Sequence, residues 1–219
     1  ARDNCPDSYD TCWSTILAFG LRRGGKAYYG LDITTVNTTQ PSILWKFKDN
    51  TYSGESWGKP AIGKIKRLTS GVPPTIIEKW VAILPGGFAF NSENSADQKG
   101  KSVFVVDASD GTLLWMLGYD SANGAEDTAN SPDAEILDTA TTDKIKYLTK
   151  SGIFNFSIPS ALNAVDKDGD GYLDTIYYGN LGGHFFKTDI SNPDKGKWTT
   201  SVLFEDYIEP IADSASATI

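Results

Sequence analysis

The chain has little of what catalytic and redox centres are usually built from. Its 219 residues include two cysteines, Cys5 and Cys12, and a single histidine, His184. A structural zinc site needs more nitrogen or sulfur ligands than such a pair offers, and without a CxxCH motif covalent haem is excluded. The pair in "CPDSYDTC" closes a small loop that suits a disulfide in an oxidising compartment, with two free thiols as the alternative. His184 stands alone in "GHFFKTD", so a hydrolytic triad would have to be assembled from distant segments. A lone histidine on a strand reads as a satisfied core or surface residue, and the chain is expected to be non-catalytic.

Further absences bound its surroundings and its architecture. No run of about 18 apolar residues exists, which excludes a helical membrane span, and the N-terminus lacks the charged-then-apolar pattern of a secretory signal, as in a processed chain or an excised fragment. No basic excess exists either: the net charge is −8, the wrong sign for a phosphate backbone. Acidic residues are partly clustered, leaving room for divalent cations as local counter-charges. Long helical periodicity is missing, although "SPDAEILDTATTDKIKYL" has Ser131 as a cap and Pro132 at a first helical place, and is expected to carry a helical turn or two.

What is present, with 40% hydrophobic and 12% aromatic residues, is a set of short runs rich in Val, Ile, Tyr, Phe and Trp between turn residues, the pattern of antiparallel strands. These runs repeat. "AYYGLDITT", "SVFVVDASD" and "HFFKTDISN" each end an apolar strand in an aspartate, namely Asp32, Asp107 and Asp189. Each is followed by a turn and a strand marked by tryptophan: Trp45, Trp115 and Trp198. Upstream, "WGKPAIGKI" leads to "KWVAILPGG" as "FSIPSALNAVD" leads to "DTIYYGNLGG". The unit therefore reads as a Pro-led inner strand, a middle strand ending in two glycines, a strand ending in Asp, and an outer strand with Trp.

Four-stranded repeats are the signature of propeller blades. The fold expected is all-β, a partial β-propeller of about two to three blades against the roughly four to eight that close a ring. The boundaries are a partial blade over 1–50, a blade over 55–120, a linker with a possible short helix over 121–150, a blade over 153–205 and a tail over 206–219. The repeated Asp and Trp are expected to cap hairpins and pack between blades. An incomplete ring exposes apolar surface, so blades outside this sequence or further chains are expected to complete it.

Inside the last blade lies "DKDGDGYLD". Asp166, Asp168, Asp170 and Asp174 offer carboxylates and Tyr172 a backbone carbonyl, a hard-oxygen set suited to Ca2+, which accepts about six to eight oxygens. Magnesium seldom takes an all-protein cage. The loop departs from an EF-hand: its twelfth position is Tyr177 rather than a bidentate Glu, and "NAV" and "TIYYG" on either side are strand-like. Calcium between two strands is the expectation, with loss of the ion freeing the aspartates to repel and loosening the adjoining surface, and with affinity on the order of 10⁻⁴ to 10⁻³ M as for extracellular modules.

"AVDKDGDGYLDTIYYGNLGGHFFKTDIS", taken with "GLRRGGKAYYGLDIT", resembles the C-terminal propeller of the PilC/PilY proteins, tip-associated adhesins and assembly factors of type IV pili. The matching positions are the loop, the turn Gly179-Asn180-Leu181-Gly182, the ending Lys187-Thr188-Asp189-Ile190-Ser191, and Gly24-Gly25 with Leu31-Asp32-Ile33-Thr34. The resemblance implies that Asp166, Asp168, Asp170 and Asp174 ligate calcium. It also implies a pilus-associated, extracellular place, with minor pilins and a host or abiotic surface as partners, and a role in attachment and in balancing extension against retraction. The large N-terminal region of that family is absent from this sequence. "VVDASDGTLLW" also fits the blades of quinone-dependent dehydrogenases, which use calcium to position a quinone. A fragment of such an enzyme is the alternative, although an enclosed cofactor needs a closed ring.

Overall fold

The computed structural model describes residues 14–34, 41–69, 72–90, 92–93, 95–119, 135–136, 145–149 and 152–205. The Cys5 and Cys12 pair, the 206–219 tail and most of the 121–150 linker lie outside these. The described chain is all-β apart from short 3-10 turns. A first sheet pairs β1 (Ile16–Gly20), β2 (Tyr28–Asp32) and β3 (Ser42–Phe47) antiparallel in chain order. A second is built on β4 (Ala61–Leu68), β5 (Ile76–Pro85), β6 (Ser102–Asp107) and β7 (Leu113–Tyr119), again antiparallel neighbours.

Two more strands extend this second sheet. β8 (Glu135–Ile136) pairs antiparallel with β9 (Ile145–Thr149), which lies parallel to β7. The helical turns expected across this stretch are therefore corrected at both places: the β-prone "IKYLT" satisfies the outer backbone edge that β7 would otherwise leave open. The third sheet runs β10 (Asn163–Val165), β11 (Thr175–Gly179), β12 (His184–Asp189) and β13 (Thr199–Glu205).

The repeated unit is visible in these strands. β4 follows Pro60, β5 ends at Gly86-Gly87, β6 ends at Asp107, and β7 carries Trp115. The paired glycines mark a backbone crossing. A Cβ on Gly86 would stand 2.4 Å from the Gly100 carbonyl oxygen, and one on Gly87, whose φ is +93°, 2.1 Å from that of Glu55.

Alternation along the second sheet sends side chains to two separate cores. Val81, Ile83, Val103, Val105, Trp115 and Leu117 face the third sheet, where Phe154, Ile176, Tyr178 and Phe186 complete one cluster. Ala82, Leu84, Phe104, Val106 and Met116 face the first, where Tyr28 and Trp45 complete the other. Every residue of β6 is buried.

The three repeated aspartates close the same turn. Oδ1 of Asp32, Asp107 and Asp189 accepts from the backbone N–H and the hydroxyl of the Thr or Ser two places on, namely Thr34, Ser109 and Ser191. The tryptophans then bridge. Trp45 donates its indole N–H to the Ala108 carbonyl across the sheet boundary at 2.8 Å, and Trp198 lies 5.3 Å from Trp115, centroid to centroid.

Asp107 is the buried member of the set, and its other oxygen meets the Lys79 ammonium at 2.6 Å. Burial alone would raise its carboxyl, but the hydrogen bonds from Lys79 and Ser109 outweigh that and hold it below the usual aspartate range. Its contribution is then fully present above about pH 4, the unfolded value, and is lost as pH falls through the lower folded one. Asp107→Asn is expected to destabilise the chain by about 1–3 kcal/mol at neutral pH and to flatten the acid limb of stability below pH ~4. Urea unfolding at a series of pH values checks both.

Candidate metal centre at a sheet junction

The loop from Asp166 to Asp174 joins β10 to β11. Its shape comes from its own aspartates. Oδ1 of Asp166 accepts from the Gly169 N–H at 2.7 Å and Oδ2 from the Gly171 N–H at 2.8 Å, while Asp168 accepts from the Asp170 N–H at 3.1 Å. Asp174 closes the circle by accepting from the Lys167 N–H at 2.7 Å. Gly169 and Gly171 have φ of +78° and +88°, the left-handed region that costs a side-chain-bearing residue roughly 1–2 kcal/mol.

This winding brings one carboxylate oxygen each from Asp166, Asp168 and Asp174 within 4.8 Å of one another. Three anionic oxygens at such spacing repel unless a cation sits among them, so the donor set fits a hard divalent ion. Asp170 points elsewhere. Its carboxylate takes a short hydrogen bond from the Lys66 ammonium on β4. That contact is the leading cause of a lowered Asp170 carboxyl and a raised Lys66 ammonium. Tyr172, expected to offer its carbonyl, places its ring 4.7 Å from the Lys64 ammonium and 4.6 Å from that of Lys66, and its hydroxyl donates to Glu78 on β5.

The loop is thus docked on the second sheet. Leu173 donates its N–H to the Lys64 carbonyl at 2.7 Å, and its side chain covers Gly63, where a Cβ would meet Leu173 Cδ1 at 2.5 Å. The dock itself, Gly63, Lys64 and Lys66, was absent from the sequence-level site. Its one signal is alternation: Lys64 and Lys66 share the face of β4 opposite Ile65 and so present two ammonium groups together.

His184 is a separate matter. It is buried, with Nδ1 3.2 Å from the Asn180 side-chain oxygen and Nε2 3.3 Å from Glu205, and it packs against Phe156 and Phe186. These contacts give its ring the packing of a core residue.

No family model matches the chain. It is similar to the type IV pilus biogenesis factor PilY1 homolog of Xylella fastidiosa, with 25% identity over 197 residues, covering 88% of this chain and 11% of that protein. Type IV pilus biogenesis factor PilY1 of Pseudomonas aeruginosa strain UCBPP-PA14 is 22% identical over 184 residues, covering 83% of this chain and 12% of the relative. The chain therefore spans about a ninth of the curated relatives it matches. Among solved structures, the crystal structure of the P. aeruginosa PilY1 C-terminal domain aligns with a TM-score of 0.49 and 21% identity, covering 81% of this chain and 27% of that one.

Docking of the loop through Leu173 has a direct consequence. Gly63→Val is expected to push Leu173 off β4 and break its bond to Lys64. Amide exchange at Leu173 should accelerate at least about tenfold, equivalent to about 1.4 kcal/mol of local protection, while amides of β6 are unaffected. Unchanged exchange at Leu173 would show that the loop holds its place without β4.

Proposed function

Similarity to the PilY1 factors supports a chain of the PilC/PilY family, and from that premise we propose that it is a calcium-braced, non-catalytic module of a type IV pilus-associated surface protein. In this reading the three sheets are blades of a β-propeller. The outward faces of the terminal sheets leave Leu17 and Ile43 exposed on one side, and Phe185 and Phe204 exposed on the other. Further blades or further chains would cover these faces. The module would act outside the cell, at the pilus, with minor pilins and an attachment surface as its partners.

The observation that carries calcium is the convergence of Asp166, Asp168 and Asp174 within 4.8 Å. These three would hold the ion together with the Tyr172 carbonyl, and Asp170 would join them in competition with Lys66. Bound there, calcium supplies charge compensation and cross-linking of a loop that is docked on a neighbouring sheet; no reaction is required of it. The loop's place at the junction supports a bracing part, because what stiffens it stiffens the contact of β10 with β4.

Titration calorimetry and thermal melts test the reading together. Calcium at about a hundredfold its Kd is expected to raise Tm by roughly 5–10 °C, from about 2.7 kcal/mol of linkage, with magnesium far less effective. Asp168→Asn should weaken calcium at least about tenfold by removing one of the anionic ligands. Lys66→Met should tighten it, because the competing cation on Asp170 is gone. Equal Tm in calcium and in chelator would end the bracing proposal.

A further inference from the structure

A second polar cluster lies away from the loop, where the second and third sheets meet at the start of β6. Lys101, immediately before β6, is wholly buried. Its ammonium donates to the side-chain oxygen of Asn155, itself buried, and to the Ser95 carbonyl at 2.8 Å, and lies 5.1 Å from the centre of the Tyr119 ring. Glu93 and Asp97 are the acidic neighbours within electrostatic reach. One oxygen of Glu93 accepts the Ser157 N–H at 2.8 Å. The other, Oε1, is buried and has no hydrogen-bond partner.

A buried ammonium normally sits against a carboxylate that offsets its desolvation. Here it is held on two neutral carbonyl oxygens, with a carboxylate beside it that has an oxygen to spare. Backbone on both sides of the pair is fixed. The Gly100 carbonyl accepts from the Ile158 N–H and the Lys101 carbonyl from the Tyr119 N–H, each at 2.9 Å. Amine and carboxamide are thus kept in contact between buried side chains, within electrostatic reach of a carboxylate, the arrangement that favours reaction between two groups already in place.

We propose that Lys101 and Asn155 form an intramolecular amide cross-link, with Glu93 as its proton carrier. Glu93 takes a proton from the Lys101 ammonium, and the freed lone pair on Nζ adds to Asn155 Cγ. Glu93 returns that proton to the carboxamide nitrogen of the tetrahedral adduct. The Cγ–Nδ2 bond breaks, and ammonia leaves, taking up one of the two protons still on Nζ as ammonium, so that the amide nitrogen keeps one N–H. Lysine ammonium and asparagine carboxamide thus become one secondary amide plus ammonium, with no oxidant or second reactant and with Glu93 regenerated. The product removes a buried charge. Burial lowers the Lys101 ammonium below the usual lysine range, which eases the first proton transfer.

The bond would join residues 54 apart in sequence, tying the start of β6 to the segment that enters the third sheet. It owes nothing to the metal loop and stands or falls separately from the pilus reading.

Peptide mapping of the full chain by tandem mass spectrometry tests it. Mapping is needed because Asn123-Gly124 can lose ammonia by itself, so intact mass alone does not decide. Expected is a branched tryptic peptide joining Lys101 to Asn155, lighter than its two arms by one ammonia, with no cleavage after Lys101. In Glu93→Gln the branched species should fall at least tenfold while the melting curve stays cooperative. Linear peptides at full mass with cleavage after Lys101 in the unsubstituted chain would overturn the cross-link. Complete linkage in Glu93→Gln would overturn the role of Glu93.

Discussion

Burial of the second sheet's central strands, β6 and β7, on both faces is the constraint from which the rest of the architecture follows. An antiparallel sheet usually keeps one face in water, and its strands then alternate between apolar and polar side chains. β6 has no such face, since all six of its residues are buried. Apolar area removed from water is worth about 25 cal/mol per Å², so a sheet of this kind gains most of its stability only when two neighbours are already in place. The first and third sheets are therefore part of what makes the second one fold, and the two core clusters meet across a single layer of backbone.

Neighbours must also be held at a fixed angle, and the repeated Asp and Trp do this with different physics. The aspartate satisfies backbone N–H groups at the turn that ends the third strand of each unit, a local interaction that sets where the next strand begins. The tryptophan acts over distance. Trp45 lies against Gly30 so closely that a Cβ there would stand 2.2 Å from the ring, and its N–H reaches the Ala108 carbonyl in the turn closed by Asp107. The turn closed by Asp107 is thus a landing point for the tryptophan of the first sheet, whereas Trp198 donates to the Asn192 carbonyl within its own unit and packs on Trp115 of the second sheet.

What repeats was readable, and what occurs once was readable only where its chemistry sits in one short stretch. The strand ending in Asp, the Trp after it and the paired glycines recur at matching places, so each copy supports the others, and the strands fall where those markers put them. β8 and β9 have no counterpart elsewhere among the described residues. Ser131 and Pro132 gave a local helix-start signal and lie outside the described residues, while at Ile145–Thr149 the edge of β7, remote in sequence, holds the chain as a strand. In the loop, the alternation of aspartates announced a cation site, and three of the four converge. The fourth turns to Lys66, 104 residues away, a partner that no local pattern can reveal. Lys101 with Asn155 was missed for the same reason: neither residue stands in a motif, and only the fold brings them together.

The lysines bear directly on what a metal could add at the loop. Lys64 and Lys66 lie over Tyr172, and Lys66 already neutralises Asp170, so the loop is docked and partly compensated before any ion arrives. Its backbone is likewise wound by hydrogen bonds from Gly169, Gly171 and Lys167 to its own carboxylates. A divalent ion would then meet a site whose shape is largely formed, which lowers the ordering cost of binding. It would also compete with an ammonium for the fourth carboxylate, which lowers the gain. These opposing terms favour an ion held at modest affinity, one whose occupancy follows its free concentration, and they place Lys66 as the residue that sets where that balance falls.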